Sequence, residues 1–125
     1  MKILIIAAHP DDEVLGMGGT MKKLSKSGND IKVIFLSAGI LARRPSNAQQ
    51  KIKELRKDAE RALKILGVNQ IDFLDFPDNE MDQISNLKLT KVVEKEIMSF
   101  KPHTVYVPTK YDVNVDHQPA YNSTI

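Results

Sequence analysis

His9-Pro10-Asp11-Asp12-Glu13 sets one imidazole and three carboxylates in five consecutive residues. Neighbouring carboxylates repel one another, and a cation or a set of donors must compensate them. A divalent metal does so with one ion. His9 and Asp12 stand three apart, a workable spacing for two ligands in a turn that opens a helix. Pro10 fixes one backbone angle of that turn. The competing reading is helix capping, because acidic side chains are favoured at a helix N-terminus. One acid would need no other account. The whole run, straight after an aliphatic segment, points to metal binding or catalysis.

Asp112-Val113-Asn114-Val115-Asp116-His117 supplies a second imidazole and two more acids. Alone, this segment reads as a solvated loop with a helix cap at Asp116. Beside the first cluster it offers a set of His9, Asp12 and His117, two imidazoles and a carboxylate. Three protein ligands leave a position for water, the arrangement of a catalytic rather than a structural zinc. Asp116 is placed to orient His117 or a neighbouring group. The third imidazole, His103, follows Pro102 just before an apolar run. It reads as structural, at the wrong end of its strand for such a site. With no cysteine in the chain, thiolate metal sites and disulfides are excluded. Gly16-Met17-Gly18-Gly19 lacks the spacing of a phosphate loop, and close packing of a helix on a sheet is the expected reason for these glycines.

The elements that must carry these clusters alternate in period. Ile3 to Ala7 is a continuous aliphatic run, suited to a strand covered on both faces. Val14, Met17, Met21 and Leu24 then recur at helical spacing, with Gly28 as the stop. Ile31 to Leu36 is a second strand. After a loop, Ser46 to Gln49 has the form of a capping box, and a helix carries Ile52, Leu55, Ala59, Ala62, Leu63 and Leu66 to Gly67. Ile71 to Leu74 is a short third strand, and Asp75 to Asn79 reads as a turn. Leu89 to Phe100 marks a third helix, and Thr104 to Val107 a fourth strand. This βαβαβαβ order predicts an α/β fold of three layers, a mainly parallel sheet with helices on both faces. Ligands bind beyond the carboxyl ends of such strands, where both histidine clusters fall.

Composition narrows the partners. The chain has 125 residues, enough for one domain, with 18 basic and 16 acidic residues and a net charge of +2. That surplus makes no nucleic-acid footprint. The N-terminal apolar run breaks at His9, too soon for the core of a signal peptide, and no stretch approaches the ~18 apolar residues of a membrane span. A cytoplasmic protein is the default expectation.

Ala8 to Glu13 after an aliphatic strand resembles the signature of the PIG-L/LmbE family of zinc-dependent N-acetylglucosaminyl deacetylases. The resemblance continues through Arg56 to Gly67, Phe76-Pro77-Asp78-Asn79 and Asp112 to His117, covering essentially the whole chain. It implies a Rossmann-like fold, with His9, Asp12 and His117 binding zinc and Asp11 as general base. Asp116 matches the acid of the family's H-x-D-H segment, whose first histidine is replaced here by Asn114, so imidazole assistance at that position is lost. The substrate implied is an N-acetyl sugar or its conjugate. Arg56, Asp78 and Asn114 are the substrate-contact candidates; Arg43 and Arg44, like Arg56, could meet a phosphate or nucleotide, though solvation is the simpler reading of each arginine.

Two further readings stand beside this one. A phosphorylation-switched receiver would use Asp11, Asp12, Lys110 and an acceptor Asp75, but leaves His9 and His117 without a task. A catalytically inactive metal-binding domain of the same fold is the other. The family likeness also implies that the domain runs on past Ile125. Ala120 to Ile125 then reads as too short for a well-docked helix, and the fourth strand's edge as an invitation to homo-oligomers.

Overall fold

The computed structural model describes residues 1–37, 47–77, 80–112 and 114–125. Strand β1 (Lys2–Ala7) turns into helix α1 (Asp12–Lys26). There follow β2 (Asp30–Ser37), α2 (Ala48–Ile65), β3 (Gln70–Phe76), α3 (Asn86–Phe100), β4 (Thr104–Tyr106) and α4 (His117–Thr124). A short 3-10 turn, Met81–Gln83, precedes α3.

The strands lie in the order β3-β2-β1-β4. All three pairings are parallel, with Ile3 opposite both Ile31 and Thr104, and Val33 opposite Ile71. This is the Rossmann-like α/β/α architecture, in which the chain reverses its direction of travel across the sheet between β3 and β4. A receiver sets its third strand beside its first. Here β3 lies beyond β2, which removes the receiver reading.

Side-chain alternation divides the core between the two faces. Ile3, Ile5 and Ala7 of β1 join Ile31, Val33 and Phe35 of β2 under α1 and α2, where Met21, Ala59 and Leu63 are buried. Leu4, Ile6, Ile34 and Leu36 face the other way, against Leu89, Val93 and Phe100 of α3 and Ala120 of α4. Fully burying each such aliphatic side chain contributes about 1.5–3 kcal/mol.

Three expectations need correction. First, β3 continues through Asp75 and Phe76, which the charge of Asp75 disguised as a turn; Phe76 pairs with Ser37 past an irregularity in the register. Second, α4 starts at His117, because Pro119 is tolerated in a first helical turn. Although short, it docks, with Ala120 at 0% exposure. Ser46, the first residue of the expected capping box, lies outside the described residues; Asn47, the residue before α2, makes no side-chain cap. Third, close packing does not explain the α1 glycines. A Cβ built at Gly16 or Gly19 would meet nothing within 4 Å, and at Gly18 only Val14 at 3.7 Å.

Candidate metal centre

The turn from β1 to α1 carries the first cluster, and the loop from β4 to α4 carries the second. Because β4 pairs directly with β1, their carboxyl ends are neighbours and the two loops meet. This brings together residues 108 positions apart in sequence, His9 and His117 (117 − 9), with ring centroids 5.5 Å apart.

Asp12 Oδ2 is the point of convergence. It lies 3.4 Å from His9 Nδ1 and 2.9 Å from His117 Nε2. It also accepts the backbone N–H of His9 at 2.9 Å, which fixes the carboxylate. One donor atom from each of the three residues lies within 4.8 Å of the other two. His117 Nε2 is buried and makes no hydrogen bond, despite its closeness to Asp12. An orphaned ring nitrogen facing a carboxylate and a second imidazole is what a cation site requires. Two nitrogens and one oxygen suit a divalent transition metal.

The far nitrogen of each imidazole meets its own carboxylate. His117 Nδ1 lies 2.8 Å from Asp112 Oδ2, and His9 Nε2 lies 2.5 Å from Asp116 Oδ2. Such partners set the tautomer and the ring direction of a metal ligand. Asp116 is fully buried and its other oxygen accepts the Met81 backbone N–H at 3.0 Å. Asp116 thus orients His9, not His117, and ties the centre to the 3-10 turn. The Asn114 side chain accepts the Asp116 backbone N–H at 2.8 Å, so Asn114 shapes the loop itself.

Charge is unbalanced towards the anionic. Burial alone would lower the pKa of His9, but hydrogen bonds to Asp116 and Asp12 outweigh it and push the value up to about 10. Burial works against the Asp12 anion, yet His9 and His117 hold its pKa below the ordinary value. Asp11 is shifted upward, first by loss of solvent and then by the Asp12 carboxylate. Glu13 is shifted upward, chiefly by burial. Asp11 also has an unusual backbone, φ 135° and ψ −28°. A residue other than glycine held there stores roughly 1–3 kcal/mol, which marks functional sites more often than ordinary turns.

An open cleft of about 370 Å³ reaches the triad. Asp12, Glu13, His117 and Asp112 are its charged or titratable lining, and Leu15, Met17, Tyr106 and Pro108 its apolar wall. Arg56 is not among its lining residues. Its guanidinium pairs with Asp75 at 2.6 Å and lies over Phe73. Asp78, like Arg43 and Arg44, lies outside the described residues. His103 accepts the Lys2 backbone N–H at 3.1 Å at the opposite end of β4, a structural contact.

Spacing alone gives no role to two groups, Asp112 and Glu13. Asp112 lies five residues before His117, as an acid within reach of an imidazole in a turn would. Glu13 was counted as charge, whereas the structure buries it.

A family model described as PIG-L, GlcNAc-PI de-N-acetylase, matches residues 4–125. Diacetylchitobiose deacetylase of Thermococcus kodakarensis is 35% identical over 128 aligned residues, covering 95% of this chain and 46% of that protein. The structure of N,N'-diacetylchitobiose deacetylase from Pyrococcus horikoshii superposes with a TM-score of 0.75 at 30% identity, covering 98% of this chain and 46% of that one. GalB, a 4-carboxy-2-hydroxymuconate hydratase from Pseudomonas putida, reaches a TM-score of 0.81 at 23% identity, covering 98% of this chain and 53% of that one, and shows likeness of fold alone. The chain thus spans about half the length of these relatives. With the family's signature residues gathered at the carboxyl ends of adjacent parallel strands, and its model matching nearly every residue, the chain belongs to the PIG-L deacetylase family.

Proposed function

We propose that the protein is a zinc-dependent amidohydrolase that removes the N-acetyl group from an N-acetylglucosamine-type sugar or its conjugate. The observation that carries this reading is the convergence of His9, Asp12 and His117 around a buried ring nitrogen that makes no hydrogen bond, with Asp11 close enough to interact with all three. The deacetylase relatives support the reaction class, and the nitrogen-rich donor set favours zinc.

A zinc ion held by His9, Asp12 and His117 would supply Lewis-acid polarisation of the amide carbonyl and lower the pKa of water. Asp11 accepts the proton of the attacking water and then delivers it to the leaving amine, giving acetate and an amino sugar. Its upward-shifted carboxyl suits both halves of that transfer. Asp116 and Asp112 keep His9 and His117 aimed at the ion. Asn114, in the place of the family's histidine, contributes no proton. Arg56 and Asp78 remain proposals for substrate contact, and the free edge of β4 one for association between copies.

Acetate release from diacetylchitobiose, measured with and without zinc, tests the reading. Zinc-dependent release supports it; zinc bound at the triad without release favours the second reading, a binding domain without turnover.

A further inference from the structure

An aspartate at the residue before a helix ordinarily turns its carboxylate back to cap the first N–H groups. Asp11 holds that position before α1 but makes no such side-chain bond. Its φ of 135° turns the residue out of the capping geometry. Left alone, an aspartate would relax towards the ordinary conformation, so something must hold it. On one side the Asp11 carbonyl accepts the Leu15 N–H at 2.9 Å, the first bond of the helix. On the other, the Asp11 N–H donates to Glu13 Oε2 at 3.0 Å.

Glu13 is badly placed for a residue that merely caps. It is 3% exposed, and its second oxygen, Oε1, is buried without a hydrogen bond. An exposed carboxylate would satisfy the same N–H without the cost of burial. The arrangement gains something else. Glu13 takes over the backbone N–H and fixes the Asp11 peptide, while the Asp11 carboxylate caps no helix N–H and instead meets the Asp12 side chain.

We propose that Glu13 is a positioning residue, which clamps the positive-φ backbone of Asp11 and so directs the Asp11 carboxylate away from capping and towards the site. The role of that carboxylate as base rests on the functional reading above; the clamp does not. Glu13 also lines the cleft, but its role in this proposal runs through the Asp11 backbone and outside the converging group of His9, Asp12 and His117.

The test compares Glu13→Ala, which removes the acceptor, with Glu13→Gln, which keeps one. In the full chain without metal, Glu13→Ala should speed amide hydrogen exchange at Asp11 about ten-fold or more, with β1 unaffected. Its zinc affinity, by titration with zinc alone, should stay within about three-fold, because Asp12 is held independently by the His9 N–H. On diacetylchitobiose, kcat should fall by up to about 10²-fold with KM unchanged. Glu13→Gln should restore all three readouts. Unchanged Asp11 exchange in Glu13→Ala overturns the proposal, as does zinc affinity falling in step with kcat. If Glu13→Ala does not fold, Glu13→Gln decides alone: protected exchange at Asp11 sustains the clamp, and fast exchange refutes it. A wild type that releases no acetate would count against the functional reading only, leaving the exchange and zinc results to judge the clamp.

Discussion

Two clusters of charge sit partly buried on the same sheet, and they are built to opposite rules. In the first, Lys32 of β2 reaches Asp72 of β3 at 2.6 Å and Glu96 of α3 at 2.8 Å. Burial works against the ammonium, yet its two carboxylate partners raise its pKa, so the charge is held by its own surroundings. In the second, two imidazoles face Asp12, Asp112 and Asp116, with Asp11 and Glu13 close by. Negative groups exceed positive ones there, and the buried His117 Nε2 and Glu13 Oε1 make no hydrogen bond. A satisfied cluster fastens β2, β3 and α3 to one another. An unsatisfied one costs stability that only a ligand recovers. The difference separates a structural ion pair from a functional site without reference to any relative.

Removing one of the converging donors should break the second cluster most severely. His117→Ala or Asp12→Ala is expected to lose both bound zinc and acetate release, read by metal analysis and product assay. With ligand present at about a hundred times its dissociation constant, zinc should stabilise the wild type by about 2.7 kcal/mol, and these variants far less. Thermal unfolding with and without zinc measures that gap.

Next in size is Asp11→Asn. The amide cannot take a proton, so turnover should fall roughly 10²–10⁴-fold while zinc content is kept. Full activity in this variant would remove Asp11 as the base.

The carboxylates behind the imidazoles come third. Asp112→Asn and Asp116→Asn should weaken zinc binding by about 10–100-fold. Asp116→Asn should also loosen the 3-10 turn, because Met81 loses a charged acceptor.

Lys32→Met sharpens the contrast from the other side. It strands two carboxylates, and denaturant unfolding should show a loss of about 1–3 kcal/mol. Zinc affinity should not move.

The smallest effect is a proton count. Metal-free His9, with its pKa at about 10, holds a proton at neutral pH that a metal ligand must give up. Zinc binding at pH 8 should therefore release about one proton, seen by calorimetry in buffers of different ionisation enthalpy. The same shift gives the metal-free fold a contribution that is complete below the ordinary histidine pKa of 6.5 and disappears as pH rises through about 10.

The fold was legible because each β-strand and helix keeps its own period. The aliphatic run from Ile3 to Ala7 could only be a covered strand, and alternation assigned each of its residues to a face. Where one charge interrupts a pattern the reading failed, as at Asp75, which the strand carries on its exposed side. The gathering of His9, Asp12 and His117 was legible because these are types that seldom cluster without a reason. Their carboxylate partners were not, since the pairing of Asp116 with His9 depends on β4 lying beside β1, and no local pattern encodes that. Asp11's backbone angle was equally hidden, because positive φ in a residue other than glycine is imposed by surrounding contacts.

The proposed site holds one cation jointly between His9, Asp12 and His117. Anomalous diffraction at the zinc edge from crystals grown with zinc tests it most directly. The expected result is a peak bonded to all three side chains at once, and its disappearance in His117→Ala. A zinc ion bound elsewhere, with the triad empty, would contradict it.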